Sequence, residues 1–151
     1  MKSKVKILSK PEKAIRELEK ISIAMRKADS VMVGLPKGSN DYPDGTSVIM
    51  VGAVHEFGSP SKGIPQRSFL RSTVQENKRS YKNMFRKLAK KIIEGDMDSK
   101  KALQLVGLQV ESDVKGKITS IDSPELKSRE GNPLVDTGHL RQSITHEVKV
   151  K

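Results

Sequence analysis

The fold is decided by residues 70–120, which read LRSTVQENKRSYKNMFRKLAKKIIEGDMDSKKALQLVGLQVESDVKGKITS. Over residues 70–94, one side of a helical wheel, about 100° wide, collects the apolar side chains, which are Leu70, Val74, Tyr81, Met84, Phe85, Leu88 and Ile92. Gly95-Asp96 interrupts this period. After a cap at Asp98 or Ser99, a second apolar stripe runs to about Ser120, through Leu103, Val106, Val110, Val114 and Ile118. Two long helices joined by a tight turn are expected to pack as an antiparallel pair.

The segments outside this pair predict a further helix and a small sheet. Residues 9–28 carry an apolar residue every three or four positions after a capping box at Ser9 and Glu12, which predicts an N-terminal helix. Residues 31–35 form a short β-rich run, and residues 144–150 alternate apolar and polar side chains, as a half-buried strand does. Residues 46–57 fit a helix or a strand equally. We therefore expect a single α+β domain over residues 1–151, in which a small antiparallel sheet packs against a long antiparallel helix pair plus the N-terminal helix.

Turn-forming residues mark the connections. Residues 38–45 and 122–133 are dense in such residues and are expected to be mobile loops. In Asp136-Thr137-Gly138, the carboxylate or the hydroxyl should accept backbone N–H bonds, while Gly138 takes a backbone geometry that other residues resist. Leu140 should then enter the core, with Arg141 beside the final strand.

Composition limits the chemistry. The chain has 151 residues, no Cys and no Trp, with 34% hydrophobic residues, so we expect a thin aliphatic core without disulfides or thiol nucleophiles. It contains no apolar run long enough for a membrane span or a signal peptide, so no membrane partner is expected. The formal net charge is +11, and the excess lies in residues 1–30 and 67–101. This balance favours nucleic acid or an acidic protein surface as partner.

No residue set predicts catalysis. Asp136-Thr137-Gly138 matches the loop of aspartic proteases, but those enzymes bring two such loops together inside a β-rich barrel. The glycines at 58 and 63 have phosphate-loop spacing, yet Ile64 and Pro65 stand where Lys and Ser or Thr are needed. The three histidines lack the spacing of a zinc site. We expect no catalytic residue, no cofactor, no metal and no small-molecule substrate.

Two of the histidines have structural interpretations. His55 is expected to form a hydrogen-bonded packing pair with its neighbour Glu56. His146 lies on the apolar side of the last predicted strand and should be a satisfied core imidazole.

A row of cations is expected on the helix over residues 70–94, opposite its apolar stripe. A solvated face is as frequent as a contact with DNA or an acidic partner, and these alternatives stay open. No aromatic residues are interleaved with the cations, so DNA would be contacted through phosphates without sequence readout. The candidate contacts are Lys78, Arg79, Lys82, Arg86 and Lys90.

Two stretches resemble a known family. Residues 51–71, VGAVHEFGSPSKGIPQRSFLR, resemble the His-Glu-Phe-Gly … Ile-Pro-x-Arg-x-Phe-Leu-Arg signature of the head–tail joining, or tail-completion, proteins of tailed bacteriophages. Residues 133–148, PLVDTGHLRQSITHEV, resemble the Pro-Leu-x-Asp-Thr-Gly-x-Leu-Arg-x-Ser-Ile segment near the C-terminus of the same family. Order, spacing and intervening helices also agree over about residues 30–150. One departure is Ser68, where family members often have Pro.

The resemblance implies a non-enzymatic virion protein of the neck or tail that joins or completes the tail at the head–tail interface, usually as a ring. Expected partners are connector and neck proteins, tail terminator or tail tube proteins, and further copies of this chain; genome DNA in the channel could be another neighbour. The protein would lie in the virion, and in the host cytoplasm during assembly. The alternative function is sequence-independent DNA binding through the basic helix face and the arm with Lys2, Lys4, Lys6 and Lys10.

Within the two stretches, some residues are candidates for subunit or partner contacts. We expect the 57–70 connection to dock onto the helix pair or a neighbouring subunit, with Arg67 and Arg71 pairing to carboxylates there. The full set of candidates is Phe57, Ile64, Arg67, Phe69, Leu70, Arg71, Asp136, Thr137, Gly138, Leu140 and Arg141.

Overall fold

The computed structural model describes Glu12, Ile15, Arg16, Glu19, residues 29–126 and residues 130–149. The elements in the two long described ranges follow in chain order: β1 (Ser30–Gly34), α1 (Val48–Phe57), a 3-10 turn (Pro60–Lys62), α2 (Leu70–Glu94), α3 (Ser99–Ser120), α4 (His139–Ser143) and β2 (Thr145–Lys149). The predicted α+β class is confirmed. Of the predicted N-terminal helix, the four described residues are helical and exposed, and the rest lies outside the described residues. Lys2, Lys4, Lys6 and Lys10 lie outside them too.

The two long helices form the predicted antiparallel pair. Tyr81 donates to Asp113 (2.8 Å). Glu76, five residues earlier on α2, pairs with Lys117, four residues later on α3 (2.7 Å). The interruption at Gly95 is a left-handed turn, φ +83°, whose N–H bonds back to the end of α2. The predicted cap at Asp98 is present, since its side chain accepts the Lys101 N–H at 2.8 Å.

The sheet has two antiparallel strands and lies on α3. Val31 pairs with Val148, and Val33 pairs with His146, so these four side chains share one side of the sheet. Both strands pack on α3 through this side, while Met32 on the other side is exposed. The period-two pattern at the C-terminal end therefore predicted the buried side of β2 correctly.

In the segment 46–57, left open by its sequence, residues Val48–Phe57 are helical. Its buried residues are Val48, Gly52 and Glu56, which recur every four positions and so lie along one side of the helix. Gly52 lies against Leu35 and Leu140, where an added Cβ would collide with the Leu35 side chain. Tertiary packing along this line thus outweighs the strand propensity of the β-branched residues around it.

The main core joins α1, α3 and the C-terminal segment. Its buried members are Val48, Phe69, Val114, Ile118, Leu134, Leu140 and Ile144. A second cluster of Leu88, Ala102 and Val106 lies between α2 and α3. Phe69 is the one phenylalanine of the chain in these clusters, so the core is mainly aliphatic, as its composition predicts. None of the described helices has both the length and the apolar character that a membrane span needs.

Two glycines of α3 differ in how closely the sheet lies against them, and they give a matched pair of predictions. A Cβ on Gly107 would collide with the His146 ring and come within 2.9 Å of Val31 Cγ2, whereas nothing lies within 4 Å of a Cβ on Gly116. We expect Gly107→Ala to lower the free energy of unfolding by about 1–3 kcal/mol. Gly116→Ala should raise it by up to about 1 kcal/mol through helix propensity. Urea denaturation of both variants measures this, and equal effects would contradict the packing described.

Candidate functional site

The carboxylate of Glu56 joins the end of α1 to the start of α2. Its Oε2 accepts the backbone N–H groups of Phe69 and Leu70, both at 2.8 Å. Its Oε1 accepts the Ser68 hydroxyl at 2.7 Å, the Arg71 N–H at 3.1 Å and Arg71 Nε at 2.9 Å. Five hydrogen bonds thus converge on one side chain that is only 3% exposed.

This contact replaces a local helix cap. The residue at the N-cap of α2 is Phe69, which has no side chain able to accept the first free N–H groups of the helix. Glu56 supplies both the acceptor and a negative charge at the positive end of the helix. Burial alone raises the pKa of Glu56, but the hydrogen bonds from Leu70, Arg71 and Ser68 outweigh it, so its pKa lies below its ordinary value. The carboxylate is therefore ionised at neutral pH.

Arg67 fastens the segment that follows α3. Its side chain is buried, and it donates to the backbone carbonyls of Pro124 (2.6 Å) and Glu125 (2.9 Å). The expectation that Arg67 pairs with a carboxylate is wrong, because peptide oxygens of the 122–126 segment occupy its donors. Arg71 does pair with a carboxylate, but that carboxylate is Glu56 at the end of α1 and not one on the helix pair.

The second motif forms the predicted turn. Gly138 has φ +78°, a left-handed conformation that favours glycine, and it begins α4. The Thr137 hydroxyl accepts the His139 N–H at 3.3 Å, and Leu140 is 2% exposed. Just before this turn, Asn132 donates to the Thr119 carbonyl at 2.7 Å, which ties the segment to the end of α3.

The two motifs meet in space. Phe69 of the first and Leu134, Leu140 and Ile144 of the second belong to the same core cluster, and α1 packs on α4. Between them lies a cavity of about 350 Å³. Its polar walls come from both motifs and from the 38–45 loop, through His55, Asp136, Thr137, His139, Tyr42 and Asp44.

The 38–45 loop is fastened at this cavity. The Asn40 carbonyl bonds to His139 Nε2 at 2.7 Å, and the Tyr42 ring lies 4.5 Å from the His139 ring. Asp41 accepts the N–H of Val48 at 3.1 Å, at the start of α1. The loop therefore connects the beginning of α1 with the beginning of α4.

The histidines differ in environment. His146 Nδ1 lies 2.6 Å from Glu111 Oε2, so the expected satisfied imidazole is confirmed. The expected His55–Glu56 pair is wrong, because the Glu56 oxygens are taken by residues 68–71. His55 Nδ1 is buried without a hydrogen-bond partner among the described residues, and burial, followed by the Arg67 charge, lowers its pKa. No three His, Asp or Glu side chains of the described ranges form a group that could hold a metal ion.

The interface candidates divide by exposure. Arg67, Phe69 and Leu140 are buried in the chain itself; Ile64, Leu70 and Gly138 are half-buried. The exposed candidates are Phe57, Arg71, Asp136, Thr137 and Arg141. Arg71 Cζ lies 4.5 Å from the centre of the Phe57 ring, a cation–π contact on the surface. The buried group could contact a partner only if the chain unfolded locally, whereas the exposed group is open to one.

Sequence reasoning missed Glu56 as the centre of this junction. One signal was available, because α2 begins without a Ser, Thr, Asp or Asn at its cap while the first motif carries a single acidic residue.

Comparisons with family models, curated proteins and solved structures find no match to this chain. The resemblance therefore rests on the two motifs alone.

We expect Glu56→Gln to lower the free energy of unfolding by about 2–4 kcal/mol, because an amide removes the charge and turns one acceptor into a donor. Glu94→Gln is the matched control, since Glu94 makes an exposed pair with Lys90 at 3.7 Å. That change should cost less than about 0.5 kcal/mol. Chemical denaturation at pH 7 measures both, and similar effects would contradict the junction.

The same variant tests pH dependence. The folded-state pKa of Glu56 lies below its ordinary value of 4.5, so its stabilisation is complete above that pH and is lost as pH falls through the folded pKa. Glu56→Gln should therefore lose less stability than the native chain on acidification from pH 6 into this range. Identical acid dependence in both proteins would count against an ionised Glu56.

Proposed function

We propose that this chain is a structural subunit of the neck or tail of a tailed bacteriophage, which joins or completes the tail at the head–tail interface as a ring. The supporting observation is that the two motif segments form one unit. Glu56 of the first caps α2 at Phe69 and Leu70, and Phe69 shares a core with Leu140 of the second. The residues that carry the resemblance therefore lie together in the fold.

The composition of the core supports an assembly role. The chain has three phenylalanines, and two of them are exposed: Phe57 at 64% and Phe85 at 47%. A chain poor in aromatics that leaves them at its surface has apolar area for neighbours to cover. Stability and association are then linked, as in subunits that become robust on assembly.

The outer side of α1 is the surface we assign to the contact with a neighbouring copy. We call it the α1 face and define it by Ile49, Met50, Ala53 and Phe57, all exposed. It lies beside a mainly apolar cavity of about 600 Å³, whose walls include Met50, Ile64 and Leu126. A head-to-tail contact between this face and a different surface of the next subunit can close into a ring. The ring would then contact connector or neck proteins on one side and tail terminator or tube proteins on the other.

Phe57→Ser tests this assignment. Phe57 is exposed, so the variant should fold normally while losing self-association, and particles carrying it should show separate heads and tails or unfinished tails. Leu108→Ser, at a similarly exposed position on α3, is the control and should assemble normally. Sedimentation velocity and electron microscopy of particles give the readout.

Three outcomes would contradict parts of the proposal. Normal infectious particles formed without this polypeptide would remove the virion function. Unchanged ring formation by Phe57→Ser would remove the α1 face as the contact, and turnover of a substrate abolished by one point substitution would point to an enzyme instead.

A further inference from the structure

The exposed surface of α2 carries two parallel rows of side chains. The first is cationic and consists of Lys78, Lys82, Arg86 and Lys90; the second is apolar and consists of Phe85, Ala89 and Ile93. In each row the members are four residues apart, which places them along one ridge of the helix, and the two ridges are adjacent. We call the two rows together the α2 surface.

The apolar row departs from the simple two-sided helix that the sequence predicts. Tyr81 and Leu88 are buried against α3, but Phe85 is 47% exposed and Ile93 is 58% exposed. Val74, predicted to lie in the apolar stripe, is 49% exposed. The apolar side of α2 is therefore wider than the part that packs against the rest of the chain. Its uncovered edge lies next to the row of cations. Large apolar side chains lined up at a surface indicate an interaction site more often than isolated ones do.

The cations of the row are open to an outside partner. Lys78, Lys82 and Arg86 make no ion pair within the described part of the chain. Lys90 pairs with Glu94 at 3.7 Å, but both side chains are largely exposed, and such pairs contribute little. The other carboxylate of α2, Glu76, is bound by Lys117 at 2.7 Å.

We propose that the α2 surface binds an acidic amphipathic helix of another protein. DNA phosphates would pair with the cation row but leave the apolar row without cover, because duplex backbone contacts are polar. A solvated face would explain the cations and not Phe85 or Ile93. An acidic helix with an apolar stripe covers both rows at once.

The positive charge of this chain favours a different protein, and not a second copy, as the partner of the α2 surface. A second copy has a net charge of +11, and residues 1–30 carry nine basic and four acidic side chains, so either would repel the cation row. An acidic partner is attracted instead, and this attraction weakens with salt.

The rows also set the size of the partner. Lys78 to Lys90 spans about 18 Å of helix axis, and Phe85 to Ile93 spans about 12 Å. A partner helix of about 12 residues matches these lengths, with apolar residues at i, i+4 and i+8 and acidic residues on the flanking positions. The small Ala89 between Phe85 and Ile93 leaves room for one partner side chain.

The proposal does not depend on the ring or on a virion function. A synthetic acidic peptide of about 12 residues, with leucine at i, i+4 and i+8 and glutamate on both flanks, is the probe. Its scrambled isomer has the same composition without the stripe. A short DNA duplex is the third probe, and fluorescence anisotropy at low and moderate salt measures binding to the full chain.

Two double variants separate the rows. Phe85→Ser with Ile93→Ser should weaken peptide binding at least about tenfold and leave its salt dependence unchanged. Lys82→Gln with Arg86→Gln should weaken it and also flatten the salt dependence. Lys100→Gln and Leu108→Ser, exposed positions on α3, are the controls and should bind as the native chain does. The scrambled peptide should bind at least about tenfold more weakly than the ordered one.

Four results would overturn the proposal. These are no binding of the ordered peptide at low salt, equal binding of both peptides, no effect of the Phe85 and Ile93 changes, and duplex DNA bound more tightly than the ordered peptide. The last result, if sensitive only to the cation changes, would assign the α2 surface to nucleic acid. Thermal unfolding of each variant confirms that the fold is kept, since every changed side chain is exposed.

Discussion

The structure depends on the buried Glu56 carboxylate that caps α2. A 25-residue helix that begins at a phenylalanine has no acceptor of its own for its first N–H groups, and leaving them buried and unpaired would be costly. Glu56 meets this need from α1, thirteen and fourteen residues earlier in the chain than the amides it accepts. The start of α2 is thereby joined to the end of α1.

Around this junction the first motif holds separate segments together. The Arg67 N–H bonds to the His55 carbonyl at 2.7 Å, and the Arg67 side chain reaches the carbonyls of Pro124 and Glu125. The contacts of Glu56 and Arg67 therefore lie within the chain itself. Phe57 and Arg71 lie on the outer side of the same junction and are exposed. The internal contacts therefore also position this cation–π pair at the surface.

Helix α2 has one side buried against α3 and another that nothing in the described chain covers. The small, aliphatic core has room for few large side chains, and Phe57 and Phe85 lie outside it. The exposed aromatics fall on two different helices, α1 and α2. This separation is consistent with two distinct contacts, one with a like subunit and one with an acidic partner.

Local patterns in the sequence determined most of the elements. The period of the apolar residues predicted α2 and α3, alternation predicted β2, and Gly138 and Leu140 took the turn and core positions expected of them. Only the tertiary structure decided that residues 48–57 are helical, that Glu56 caps α2, and that Arg67 binds peptide carbonyls. The physical reason is that periodicity reports which side of a segment is buried. A hydrogen bond between residues 13 or 57 positions apart depends on how whole elements pack, and no local pattern encodes its partner.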